Sequence, residues 1–143
     1  MTEDERRAIE WDCQQLLNRV TTLLDEGRWH ELAECYSQDA ILARPSDPDT
    51  PFKGRQEILE SLLVRPPRIS CHILSNCLFD VISPTQVEAN SRVMLISATA
   101  GQESPAITNA PILIGSFCDQ LQKINGRWMI SQRMGTIEIK YAP

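Results

Sequence analysis

The chain carries two histidines, and one of them, His72, lies in the middle of RISCHILSN (Arg68 to Asn76), a stretch that reads as a long, half-buried β-strand. An imidazole has the unperturbed pKa nearest neutrality, so a His held in a pocket is suited to taking or delivering a proton. A strand His also serves as packing, and spacing alone leaves both readings of His72 open. The other reactive side chains suggest no competing chemistry. The five cysteines, Cys13, Cys35, Cys71, Cys77 and Cys118, are odd in number and lack the paired short spacing of zinc sites, so they read as small buried hydrophobes and no metal site is expected. Cys71 and His72 are adjacent, and on a strand they point to opposite faces and cannot share a metal. Cys118 is expected to be inert unless its pKa is depressed. Arg44, at the entrance to a loop, is either a surface residue or a binding group for an anionic substituent on a ligand. Trp11, Trp29 and Trp128 read as core or interface aromatics, with a cavity-lining role open to Trp29.

Residues of this kind act only if the fold brings them to one place. From Thr2 to about Glu26 the apolar residues Ile9, Cys13, Leu16, Leu17, Val20, Leu23 and Leu24 form the stripe of an amphipathic helix, which Gly27 ends. A short second helix is expected from Arg28 to about Ser37, joined to the first by a tight corner at Asp25 to Arg28. Ala40 to Ala43 reads as a short strand. The proline-rich RPSDPDTP that follows is expected to be a loop. Lys53 to Leu63 is a third helix, ended by Pro66 and Pro67. Beyond Pro67 the period changes to two, the sign of a sheet. In its first strand Ile69, Cys71, Ile73, Cys77, Phe79 and Val81 are expected on one face, with Ser70, His72, Leu74, Asn76 and Leu78 on the other. Further strands are expected over Gln86 to Thr99, Pro111 to Ile124 and Arg127 to Tyr141, the last two joined by an Asn125-Gly126 hairpin. Three helices followed by a meander of strands make an α+β domain over residues 1–143, in which a curved sheet wraps the helices and leaves a conical cavity.

At 143 residues, with 42% hydrophobic and 23% charged side chains, the composition is that of a soluble globule with a core. No apolar run approaches the roughly 20 residues of a membrane span. The charged N-terminus, MTEDERRAIEW, differs from a secretory signal, so a cytoplasmic location with reduced thiols is expected. A net charge of −5 without a basic cluster argues against nucleic acid as a partner.

The order of elements, with LDEGRWHELAECYSQDA (Leu24 to Ala40), RISCHILSN and CDQLQKINGRWMISQR (Cys118 to Arg133), resembles the nuclear transport factor 2-like superfamily. Within it the chain is most similar to the SnoaL-like branch, with scytalone dehydratase and the β-subunits of aromatic-ring-hydroxylating dioxygenases. The resemblance spans about Ile9 to Ile139. The family's Asp, Trp and Leu at the first helical corner are matched by Asp25, Trp29 and Leu32. The resemblance implies that Asp25 and His72 form an acid–base pair inside the cone, with Asn76 as the Asn that follows the strand His. It also shows departures. The dehydratases' tyrosine before the Asp is Leu24 here, and their third-strand amide aligns with Phe117, so a water-polarising partner is missing. Arg44 stands where ketosteroid isomerase relatives place a catalytic Asp.

Two functions of different class follow. One is a cofactor-independent small-molecule enzyme of dehydratase, isomerase or cyclase type, in which His72 and Asp25 act on a hydrophobic or aromatic ring ligand lined by Asn76, Arg44, Phe117 and Trp29. The other is a non-catalytic ligand-binding module or a dioxygenase β-subunit-like assembly protein. In either case a homo-oligomer is expected, the trimer favoured over the dimer.

Overall fold

The computed structural model describes the chain from Met1 to Pro143. Helix α1 (Glu3–Glu26) begins at Thr2, whose hydroxyl accepts from the Glu5 amide while the Glu5 carboxylate accepts from the Thr2 amide. This reciprocal cap satisfies two amides that the first turn leaves free. The helix ends at Gly27, whose φ of 68° turns the chain in the left-handed region that a glycine adopts without cost. Cys13, Leu16, Leu17, Val20 and Leu23 are buried along one face. Each large apolar side chain of this stripe contributes about 1.5–3 kcal/mol by leaving water.

Helix α2 (Trp29–Glu34) is shorter than expected, because the chain turns extended at Tyr36. Strand β1 (Tyr36–Arg44) accordingly begins four residues before the expected Ala40. The proline-rich stretch also departs from expectation: β2 (Asp47–Lys53) is a strand where a loop was anticipated. Its prolines, Pro48 and Pro51, are tolerated because β2 is the outermost strand, where amides on the open side have no partner to lose. Helix α3 (Arg55–Leu63) follows, then β3 (Arg68–Ser83), β4 (Gln86–Thr99), β5 (Ile112–Ile124) and β6 (Arg127–Tyr141). The six strands form one sheet in the order β2-β1-β6-β5-β4-β3, with β1 parallel to β6 and all other neighbours antiparallel. The architecture is α+β, three helices against a curved, mixed, open sheet. No helix is long and apolar enough to cross a membrane.

The expected faces of β3 hold only for its first half. Pairing with β4 shifts register between Ser75 and Leu78, and Asn76 there adopts a left-handed φ of 52°. This bulge adds a residue and reverses the alternation. Ser70, His72 and Leu74 turn inward before it, and Cys77, Phe79 and Val81 turn inward after it; Ile69, Cys71 and Ile73 lie on the outer face. The cysteines divide in the same way. Cys13 and Cys35 are buried, and burial pushes the Cys13 thiol up to about 12. Cys71 and Cys118 are exposed, contrary to expectation, because they sit on the outward side of their strands. Trp128 packs on the core and Trp11 is exposed.

Candidate active site

Asp25 is in the last turn of α1, and its carboxylate reaches across to β3. Its Oδ1 lies 2.5 Å from His72 Nδ1 and accepts from Ser70 Oγ at 3.0 Å. Its Oδ2 accepts from the His72 backbone N–H at 2.8 Å. That amide is free because β3 is the other outermost strand of the sheet. A carboxylate bound to both the backbone and the ring of one residue fixes where the ring sits and which nitrogen bears the proton: Nδ1–H donates to Asp25, and Nε2 is left as the acceptor. Nε2 has no partner in the protein. The His72 side chain is 9% exposed and that of Asp25 21%. Burial pushes the His72 pKa below its ordinary 6.5, and the Asp25 contact opposes this without cancelling it. The ring is therefore neutral at pH 7, with Nε2 able to take a proton.

His72 lines a cavity of about 170 Å³ between the helices and the inner face of the sheet. Its wall is mostly apolar, with Val20 and Leu62 from the helices facing Leu95, Leu113 and Ile137 from the sheet. Asp25 does not line this cavity. It borders a separate recess with Trp29, Arg65, Arg68 and Ser70, and supports the imidazole from there. The expected pair is thus in contact, with the His inside the cone and the Asp behind it.

Of the other anticipated ligand-binding residues, Arg44 and Phe117 line the cavity. Asn76 does not: it is exposed in the β3 bulge, where it serves the turn of the backbone. Trp29 packs against the core from the outer recess. The stretch that suggested a missing polar partner looks different in three dimensions. Phe117 forms the floor under Arg133, whose guanidinium lies 3.9 Å from the ring centroid. Arg133 Nε and Nη2 donate to the Asp119 carboxylate at 2.8 and 2.9 Å, with the two side chains 4% and 0% exposed, and Nη1 is left without a partner. Burial works against the Arg133 charge, but Asp119 more than offsets it and raises the pKa above its ordinary value. Tyr36 also lines the cavity, and its hydroxyl has no hydrogen-bond partner in the protein. Burial raises its pKa, so the phenol stays protonated and is available as a donor. Neither Arg133 nor Tyr36 was singled out by the sequence. No three His, Cys, Asp or Glu side chains gather in a way that could hold a metal.

The helices and the sheet thus enclose a mostly apolar cavity beside a part-buried Asp–His contact. The chain belongs to the SnoaL-like domain family, whose sequence model matches residues 5–134, within the nuclear transport factor 2-like superfamily. Solved structures share the fold. A candidate scytalone dehydratase from Novosphingobium aromaticivorans superposes with a TM-score of 0.83 at 22% identity, over 97% of this chain and 90% of that one. The hexachlorocyclohexane dehydrochlorinase LinA-type3 from Novosphingobium barchaimii gives 0.78 at 15% identity, over 97% and 92%. A protein of unknown function with a cystatin-like fold from Nostoc punctiforme gives 0.70 at 18% identity, over 90% of each chain. A comparison with curated protein sequences finds no match.

Proposed function

We propose that the cavity is the active site of a cofactor-independent enzyme acting on a hydrophobic ring-type ligand by dehydratase, isomerase or cyclase chemistry, with His72 moving the proton and Asp25 orienting it. One observation carries this reading: the 2.5 Å contact of His72 Nδ1 with Asp25, made by a ring that lines an apolar cavity. Such an arrangement presents a neutral, fixed base to a ligand whose C–H bond water would not attack. Two of the structural neighbours are named for eliminations, one of water and one of hydrogen chloride, which supports the dehydratase type. In an elimination, His72 Nε2 takes the proton, the C–H electron pair forms the new double bond, and the leaving group departs from the adjacent carbon with its bonding pair. The Tyr36 hydroxyl and Arg133 Nη1 are the donors available to the departing group.

The test is turnover by His72→Gln and Asp25→Asn over a panel of cyclic compounds able to lose water or halide. For a substrate that the wild type turns over, His72→Gln is expected to lower the rate by about 10² to 10⁴ without loss of folded protein. Turnover by His72→Gln equal to that of the wild type would refute the assignment.

We also infer that the chain forms homo-oligomers through the outer face of the sheet. Ile73, Met94, Ile114 and Ile139 are successive partners across β3, β4, β5 and β6, and make an apolar row that no helix covers. A second copy presenting the same row would bury it.

A further inference from the structure

Three guanidinium groups that no carboxylate neutralises converge on the wall of the cavity. Arg44 ends β1, Arg65 follows α3, and Arg68 opens β3, and all three line the cavity together with His72. Every ion pair in the molecule involves other cations: Arg7, Arg28, His72 and Arg133. Arg44 lies over the Phe52 ring, 4.9 Å from its centroid, which holds the side chain in place without removing its charge. Asp47 stands opposite Arg44 across β1 and β2 but makes no ion pair with it, and the two carboxylates of the recess that Arg65 and Arg68 also border are engaged elsewhere. Asp25 serves His72 and Ser70, and Glu26 accepts from Arg28. The arginines feel one another: burial together with the Arg44 and Arg68 charges pushes the half-buried Arg65 guanidinium below its ordinary value. His72 in turn feels Arg68 and Arg65. Like charges gathered at a concave site attract an anion and raise its local concentration.

Resting on the enzymatic reading above, we propose that the ligand of this cavity is a single-ring compound bearing a carboxylate, which Arg44, Arg65 and Arg68 bind while the ring reaches His72. The size of the cavity agrees: a void of about 150 Å³ holds benzene, and this one measures about 170 Å³. The planar fork of a guanidinium matches the two oxygens of a carboxylate, and such charge-assisted contacts are the strong ones. The charge therefore sets both the preference for anions and the direction in which the ring enters, apolar end towards the wall of Leu95 and Leu113.

The test measures binding of toluene, benzoate, benzamide and benzamidine to the full chain by NMR titration. Benzoate and its neutral and cationic counterparts have nearly the same shape and differ in charge. Benzoate is expected to bind about tenfold or more tighter than benzamide, with benzamidine weakest. In Arg65→Met/Arg68→Met, and separately in Arg44→Met, that preference should shrink while toluene affinity is unchanged; melting curves verify that each variant is folded. Equal affinities for benzoate and benzamide, or a preference that survives in the double variant, would overturn the proposal and leave the enzymatic reading standing. Failure of toluene and benzoate alike to bind would overturn both, since the cavity would then not be a ring site.

Discussion

The protonation of His72 is set by what surrounds it. On an open strand its ring would titrate at its ordinary pKa; here burial lowers that pKa and Asp25 only partly restores it. The sign of the effect on stability follows. Between the lowered pKa and 6.5 the unfolded chain binds a proton that the folded chain does not, so stability contributed by His72 is complete above about pH 6.5 and is lost as the pH falls. The difference in unfolding free energy between the wild type and His72→Gln should therefore decline as the pH is taken from about 7 to 5. A difference independent of pH in denaturant titrations would contradict this. At the same scale, the Asp25 and His72 pair was legible through family resemblance, whereas Arg133 and Asp119 were not. A charged residue on a strand reads as solvent-facing until its cross-strand partner is known. Counting out from the Asn125-Gly126 hairpin pairs Leu121 with Ile130, but a register shift at Gln120 is what brings Asp119 opposite Arg133. Counting without that shift would set Arg133 opposite Cys118.

At the scale of elements, periodicity located the three helices and the four long strands within a few residues, because amphipathic stripes and Gly and Pro stops are local signals. It failed where one residue is inserted. The β3 bulge leaves no mark on an alternating pattern except a change of phase, and SNC at Ser75 to Cys77 contains nothing large enough to show it. The proline-rich β2 failed for another reason, since its strand pairing depends on lying at the edge of a sheet that the sequence does not display. Position 135 shows how closely the loop after β1 approaches β6: a Cβ added at Gly135 would overlap the Pro45 ring, next to Arg44. The bulge yields a prediction. Asn tolerates a left-handed backbone better than most residues, and Gly better still, so Asn76→Ala should lose about 1–2 kcal/mol while Asn76→Gly should not. Equal unfolding midpoints for the two variants in urea would show that the bulge is not held by its backbone conformation.

For the whole molecule, the sheet has two unlike faces. Its inner face packs on helices and frames the cavity; its outer face carries the row from Ile73 to Ile139, whose end members are 48% and 52% exposed. Association through this row should give a mass above that of one chain in light scattering at micromolar concentration, and Ile139→Lys should return it to a monomer with the cavity unaltered. A wild type that is monomeric under those conditions would rule out the interface. Assembly of this kind would also stiffen β3, the strand that carries His72 and borders no other strand on its free side.

The hold of Asp25 on the His72 ring is measured most directly by an NMR titration of the ring nitrogens in the wild type and in Asp25→Asn. In the wild type the proton is expected on Nδ1, with a pKa below 6.5. Asp25→Asn removes the charge that favours the imidazolium, so the pKa should fall further and the tautomer should no longer be fixed. A His72 pKa at or above 6.5, or one that Asp25→Asn leaves unchanged, would contradict the account.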